Sequence, residues 1–154
     1  MKAFPLDDVT SSLTFTDRLC RENGWSLSFG VRAVLEYRRF MFLACEAGHP
    51  CTPSDEVDQV WHLHLLYTQS YWKEWCGKVL QKEVHHGPTK GGNSEREKYE
   101  DWYQKTKDSY SRLFGKEPPK DIWPGAKERM RFINFIRVNR HTKWVLPKPR
   151  FLWT

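Results

Sequence analysis

The sequence contains no apolar run long enough to span a membrane. Its most apolar stretch, residues 40–45, is far shorter than the roughly 20 residues that a transmembrane helix needs. Residues 1–16 lack the apolar centre of a signal peptide and carry Asp7 and Asp8, so we expect no secretory leader. Cysteine is also scarce, with four residues in 154, and we expect reduced thiols rather than disulfides. These absences predict a cytoplasmic protein that does not enter a membrane.

Repeats and low-complexity tracts are absent as well, and the nine glycines are scattered. Aromatic residues, in contrast, make up 15% of the chain and include eight Trp. That is too much apolar mass for a disordered chain. A chain of 154 residues with this composition is expected to form one domain with its own core.

The net charge of +6 is unevenly distributed. Residues 131–154 contain six Lys or Arg and no Asp or Glu, whereas residues 1–130 contain nineteen charges of each sign. A basic surface for nucleic acid would therefore belong to the end of the chain. We predict a helical domain at 1–130 and a basic, aromatic C-terminal arm at 131–154, which packs on the domain or on a partner.

Apolar periodicity and capping residues predict four helices, at about 16–23, 26–47, 52–80 and 94–115. The third is expected to begin with Thr52 as the N-cap and Pro53 at the first helical position. The arm shows no helical period, although residues 132–138 would suit one short strand. The predicted fold class is therefore all-α: a single-domain helical bundle with an irregular C-terminal arm.

Four of the six histidines lie within 25 residues of one another, in the segment D-Q-V-W-H-L-H that begins at Asp58 and in the pair His85-His86. On a regular helix Asp58 and His62 are neighbours, because they are four positions apart. His62 and His64 point about 200° apart, so they cannot hold one ion together there. Imidazole and carboxylate are common metal ligands. The pattern predicts a mixed nitrogen and oxygen site from Asp58, His62 and one or both loop histidines.

Two further side chains are candidate ligands, although no standard spacing such as H-E-x-x-H is present. His64 lies on the apolar arc of its helix, where it would be a ligand from a distorted turn or a core anchor. Cys76 falls on the same stripe as Asp58, and a sulfur ligand would favour Zn²⁺ over Fe²⁺. The complete set of candidate metal ligands is Asp58, His62, His64, His85, His86 and Cys76.

Each part of this set also has a simpler interpretation. A histidine on an apolar arc is commonly a hydrogen-bonded core residue, and an Asp–His pair four residues apart is common on helix surfaces. Histidines in a polar loop can simply be solvated. We favour a site because all of these would have to be idle at once.

Arg38 is expected on the apolar arc of the second helix. A buried guanidinium needs a partner, and Asp55, Glu56 or Asp58 would join the second helix to the histidine-bearing one. The alternative is an arginine whose stem packs while its head reaches water. We include Arg38 among the supporting residues of the site.

These motifs resemble the glycine-rich-domain-containing-protein-like family, whose pattern is D-x-x-W-H-x-H followed by Tyr, Cys and His-His-x-Pro. The similarity extends over about 27–123. It implies a shared fold and a shared site, at Asp58, Trp61, His62, His64, Tyr71, Cys76, His85, His86 and Pro88. Trp61 and Tyr71 are supporting residues by this resemblance. The glycine-rich segment of plant members, with its proposed RNA binding, has no counterpart in this chain.

Two functions compete. In the favoured one, the protein is a metal-binding domain, with zinc first and iron second, that acts as a hydrolase-type enzyme on a small-molecule or protein substrate. In the other, it is a non-catalytic module whose arm binds an acidic partner or nucleic acid. The predicted contacts of the arm are Arg137, Arg140, Lys143, Trp144 and Arg150. Nucleic acid is less favoured, because a basic terminus is more often solvated or docked. Docking of the arm on a second copy, as in a homo-oligomer, is a further possibility.

Overall fold

The computed structural model describes residues 4–87, 93–131 and 138–146, and all regular structure within these ranges is helical. The helices are α1 (Phe15–Asn23), α2 (Leu27–Glu46), α3 (Asp55–Leu66), a π-helix (Gln69–Leu80), α4 (Asn93–Phe114) and α5 (Ala126–Arg131). The predicted all-α class is confirmed. No helix in these ranges is both long enough and apolar enough to cross a membrane.

Local capping chemistry places α1 and α2 as the sequence predicts. Thr14 begins α1 in a capping box with Asp17, and Gly24 ends it in the left-handed conformation at φ +68°. Ser26 caps α2 by accepting a hydrogen bond from the Phe29 amide at 3.3 Å. The short link between these helices makes them antiparallel neighbours.

The beginning of α3 differs from the prediction by two residues. Ser54, not Thr52, is the N-cap, because its hydroxyl accepts from the Val57 amide at 3.2 Å. Thr52 instead donates its backbone N–H to the Thr106 hydroxyl of α4 at 3.0 Å. Thr52, which the local sequence pattern predicted as the N-cap, therefore makes a long-range contact with α4 instead.

The predicted continuous helix at 52–80 is wrong. α3 ends at Leu66, where Tyr67 adopts the non-helical angles φ −90° and ψ 63°. The π-helix that follows ends with the Gln81 amide bonded to the Cys76 carbonyl, five residues back. A helical wheel of 3.6 residues per turn therefore does not predict which side chains are buried beyond this break. Trp72 of the π-helix is 37% exposed, whereas Cys76, expected on the stripe of Asp58, is only 2% exposed.

The core lies around α2, which packs on α1, α3 and α4. Its largest fully buried side chains are mostly aromatic: Trp75, Trp123, Tyr37, Tyr71, Tyr103, Tyr110 and Phe40. Glu36 of α2 is buried with them, and it accepts hydrogen bonds from Trp123 Nε1 at 3.1 Å and the Tyr110 hydroxyl at 3.3 Å. This carboxylate connects α2 to α4 and to the segment after it.

The described part of the arm, residues 138–146, is non-helical and largely exposed. Just before the arm, α5 is tied to α3 by an ion pair between Arg129 Nη1 and Asp55 Oδ1 at 2.7 Å. Most of the strand expected at 132–138 falls outside the described residues, as do Arg137 and Arg150. The division at 130 stays a prediction.

Candidate metal centre

Three of the predicted ligands converge at the surface of α3. Asp58 and His62 lie one turn apart on this helix, and the loop after the π-helix brings His86 to them. His86 Nε2 is 2.8 Å from Asp58 Oδ1, and His62 Nε2 is 3.8 Å from Asp58 Oδ2. One ligand atom from each residue lies within 4.8 Å of the other two, and among the described residues no other such group is found. This cluster has two imidazoles and one carboxylate.

The cluster is partly open to solvent. The Asp58 side chain is 18% exposed and that of His86 22%, whereas that of His62 is 50% exposed. An ionised carboxylate can only accept hydrogen bonds, so Nε2 of His86 carries the proton that lies between the two groups. A metal ion bound to this nitrogen would replace that proton. None of the three cluster residues is among the buried residues of the core.

The loop that carries His86 is anchored to the core. Trp61 Nε1 donates to the Tyr71 hydroxyl at 2.9 Å, and this hydroxyl donates to the Val84 carbonyl. Burial raises the pKa of Tyr71 well above its usual value, which keeps the hydroxyl protonated and able to donate. The Trp61 ring also contacts the His86 ring, with centroids 4.5 Å apart. Lys82 gives a second anchor by donating from Nζ to the Cys45 carbonyl at 3.1 Å.

His64 lies in the core and not in the cluster. Its Nδ1 is 2.8 Å from the Tyr37 hydroxyl and its Nε2 is 3.0 Å from the Ser70 hydroxyl. Both ring nitrogens have partners within the core and His64 is fully buried, so the residue lies away from the Asp58 cluster. Burial lowers the pKa of His64 to about 4, so the ring is neutral at neutral pH. The core interpretation of this residue replaces its predicted role as a ligand.

His85 and Cys76 are also separate from the cluster. His85 is 71% exposed, packs its ring on Trp72 with centroids 5.3 Å apart, and has Nε2 3.3 Å from Glu83 Oε2. His85 and His86 therefore point to different sides of the loop, since His86 contacts Asp58 of α3 and His85 contacts Trp72. Cys76 is buried, and burial raises the pKa of its thiol, which disfavours the thiolate that binds metals. The sulfur ligand that would favour zinc is therefore missing from the cluster.

Arg38 is partly buried and does not pair with Asp55, Glu56 or Asp58. Its Nη2 donates to the Phe4 carbonyl at 2.7 Å, and its Nε is buried without a hydrogen-bond partner. Burial lowers the pKa of this guanidinium. Asp55 pairs with Arg129 instead, so Arg38 does not join α2 to the cluster. A backbone carbonyl as partner has no signature in the sequence, which is why this contact was missed.

The described candidates of the arm are exposed. Arg140 and Lys143 lie at the surface, and the Trp144 side chain is 95% exposed. Pro88, the last position of the resemblance, lies outside the described residues.

The fold and the cluster together define a small all-α domain with a two-histidine, one-carboxylate group at its surface. The chain belongs to the UCP032817-like family, whose model matches residues 28–107, more than half of the sequence. This range contains Asp58, His62 and His86. The resemblance to the glycine-rich-domain-containing-protein-like family is wrong, because it rested on a few motif letters, whereas the family match extends from α2 into α4. No curated protein and no solved structure matches the chain.

Proposed function

We propose that this protein is a metal-binding helical domain in which Asp58, His62 and His86 hold one divalent ion. The single observation behind the proposal is the convergence of their ligand atoms to within 4.8 Å of one another. The residue types add to it, because two imidazoles and a carboxylate match the ligands of many Zn²⁺ and Fe²⁺ sites. Zinc is the first ion to test and iron(II) the second.

A hydrolase-type activity is the proposed use of the ion. Three protein ligands leave coordination positions for a substrate, and the half-exposed His62 marks the side from which it would approach. A divalent ion bound there would act as a Lewis acid towards a carbonyl or phosphoryl group of the substrate. The chain's own residues would hold the ion, with Asp58 supplying the negative charge and the two histidines neutral donors. The substrate would be a small molecule or an exposed segment of a protein.

Elemental analysis of the untagged protein tests the metal. Wild type is compared with Asp58→Asn, His62→Gln and His86→Gln, and His85→Gln is the matched control because His85 is adjacent to the cluster in sequence but separate in space. We expect about one zinc or iron per chain in wild type and in the control, with loss in the other three variants. Circular dichroism establishes that each variant is folded. Absence of tightly bound metal from wild type, or equal content in all five proteins, would sink the proposal.

A second candidate function has one specific observation in its favour. Within residues 138–146 the side chains of Trp144, Val145 and Leu146 are 95%, 62% and 81% exposed, close to the basic Arg140 and Lys143. Exposed apolar and basic groups together suit an acidic partner or a nucleic acid. A salt titration of binding to a labelled single-stranded oligonucleotide and to an acidic peptide, with Lys143→Ala and Trp144→Ala beside wild type, tests it. Binding that neither substitution weakens would exclude this segment.

The cytoplasmic location is likewise a proposal. It is supported by four cysteines that are all free, namely Cys20, Cys45, Cys51 and Cys76. Alkylation of the protein under denaturing, non-reducing conditions should modify all four thiols. Fewer than four would mean that a disulfide forms, and would favour an oxidising compartment.

A further inference from the structure

We infer that the Tyr71 hydroxyl is a positioning group for the metal centre, which holds the Val84 carbonyl and so sets His86 against Asp58. The inference rests on the proposed function and adds a residue that would touch neither the ion nor a substrate. Tyr71 is fully buried on the π-helix, on the inner side of the loop that carries His86.

His86 is the member of the cluster whose position most needs such support. Asp58 and His62 are fixed relative to each other because they lie one turn apart on α3. His86 lies in residues 83–87, which have no regular secondary structure, so its distance from Asp58 depends on what holds this loop. Val84 is only two residues before His86, and its carbonyl accepts the Tyr71 hydroxyl in the core.

The other anchor of the loop is weaker. Lys82 Nζ donates to the Cys45 carbonyl at 3.1 Å, but Lys82 is exposed and four residues from His86. An exposed amine forms a hydrogen bond that water can replace, whereas a buried hydroxyl that loses its acceptor has no such substitute. Of these two hydrogen bonds, the one between Tyr71 and Val84 is therefore the stronger constraint on the loop.

Trp61 connects this anchor to both histidines of the cluster. Its indole N–H donates to the Tyr71 hydroxyl at 2.9 Å, and its ring contacts the His86 ring. It also directly precedes His62 in α3. Metal ligands are commonly oriented by such outer hydrogen bonds, and loss of one typically costs about 10-fold to 100-fold in metal affinity. We expect an effect of that size from removing the Tyr71 hydroxyl.

Tyr103 offers a matched control. It is also fully buried, and its hydroxyl donates to a backbone carbonyl, that of Pro124, at 3.0 Å. Tyr71→Phe and Tyr103→Phe therefore each delete one buried hydroxyl bonded to a carbonyl. Tyr71→Phe also leaves the Trp61 N–H without its acceptor, so it should cost somewhat more stability than Tyr103→Phe, whereas a loss of metal affinity should be confined to Tyr71→Phe.

The experiment titrates metal-free wild type and both variants with Co²⁺, a spectroscopic probe of nitrogen and oxygen sites, and then displaces it with Zn²⁺. We expect equal dissociation constants for wild type and Tyr103→Phe and a value at least about 10-fold higher for Tyr71→Phe. Equal affinities in the two variants would overturn the inference. Failure of wild type to bind either ion would overturn the proposed function instead.

A metal-free measurement keeps the two failures distinguishable. The Trp61 and His86 rings are close enough for a nuclear Overhauser effect between their protons. We expect this effect in wild type and Tyr103→Phe and its loss in Tyr71→Phe, whether or not the protein binds metal. If Tyr71→Phe does not fold, addition of Zn²⁺ to labelled wild type decides the question. The Val84 carbonyl resonance should then shift while that of Pro124 does not, and an unmoved Val84 resonance would contradict the inference.

Discussion

Two carboxylates of this protein, Glu36 of α2 and Asp58 of α3, have quite different partners. The Glu36 side chain is 4% exposed, and it accepts from Arg39 Nη1, the Tyr110 hydroxyl and Trp123 Nε1. The Asp58 side chain is 18% exposed and is met by the imidazoles of His62 and His86. Both carboxylates join distant parts of the chain, but only Asp58 is surrounded by side chains of the kind that ligate metals.

The difference lies in what the partners can become. A guanidinium and an indole N–H have no lone pair to offer a metal, and burial raises the pKa of the Tyr110 hydroxyl, which keeps it a neutral phenol and a poor ligand. The Glu36 group is therefore best described as a structural hydrogen-bond network. An imidazole nitrogen that gives up its proton offers a lone pair, which is what the metal site proposed at Asp58 would require. Burial of a charge is therefore a poor guide to function here. The chemistry of the groups that satisfy the charge is the better one.

The largest effect on stability is expected from substitution of Glu36. Glu36→Ala leaves the Trp123 N–H without its acceptor and removes the carboxylate partner of Arg39, which keeps only its hydrogen bond to the Tyr110 hydroxyl. Breaking a fully buried ion pair costs about 3–5 kcal/mol, and because Arg39 is 23% exposed we expect the lower end of that range, about 3 kcal/mol. Urea unfolding at pH 7 measures this loss in the free energy of unfolding. Metal affinity of the folded variant should equal that of wild type. A change of less than about 1 kcal/mol would mean that the network is not structural.

Asp58→Asn should change metal affinity strongly and stability little, the reverse of Glu36→Ala. The amide oxygen can still accept from His86 Nε2, so the free energy of unfolding should change by less than about 1 kcal/mol. Loss of the charged ligand should weaken Zn²⁺ binding by at least about 100-fold, as measured by competition with a chelator of known affinity. Retained affinity would show that Asp58 is a surface partner of two histidines and nothing more.

The parts of this architecture that depend on neighbouring residues were predictable. Ser26 and Gly24 place the ends of α1 and α2, since a cap is a contact between residues a few positions apart. The break at Tyr67 was not predictable, because neither Gly nor Pro marks it and a wheel presumes a regular helix. α5, with six residues, is too short to show a helical period.

The candidate site also has one part that the sequence predicts and one part that it does not. The pairing of Asp58 with His62 follows from their spacing on one helix turn. The choice between His85 and His86 does not, because it depends on how the loop returns to α3. That path is fixed by Tyr71, through a carbonyl that any residue at position 84 would offer. Long-range contacts to the backbone decide the geometry of the site, and they have no sequence pattern of their own.

His64 lies in the core and outside the cluster, and its burial predicts a measurable pH dependence of stability. The pKa of His64 is lowered by burial from 6.5 to about 4, so the unfolded chain takes up a proton first as the pH falls. The folded state therefore loses stability between about pH 6.5 and pH 4, by about 2 kcal/mol at pH 5. Urea unfolding of the metal-free protein at pH 7 and pH 5 measures this difference. It should shrink in His64→Gln and persist in His141→Gln, whose side chain is exposed; equal pH dependence in the two variants would show that His64 is not its source.

A third carboxylate completes the comparison and has the smallest expected effect. Asp121 binds the Arg32 guanidinium through both oxygens, at 2.6 and 2.7 Å, but the two side chains are 51% and 49% exposed. Water can satisfy either charge, so Asp121→Asn should cost no more than about 1 kcal/mol, and less at high salt. Urea unfolding at low and high ionic strength measures the cost. Short distances alone would thus confer little stability, whereas a cost near that of Glu36→Ala would show that the two short contacts of Arg32 Nη2 outweigh exposure in this fold.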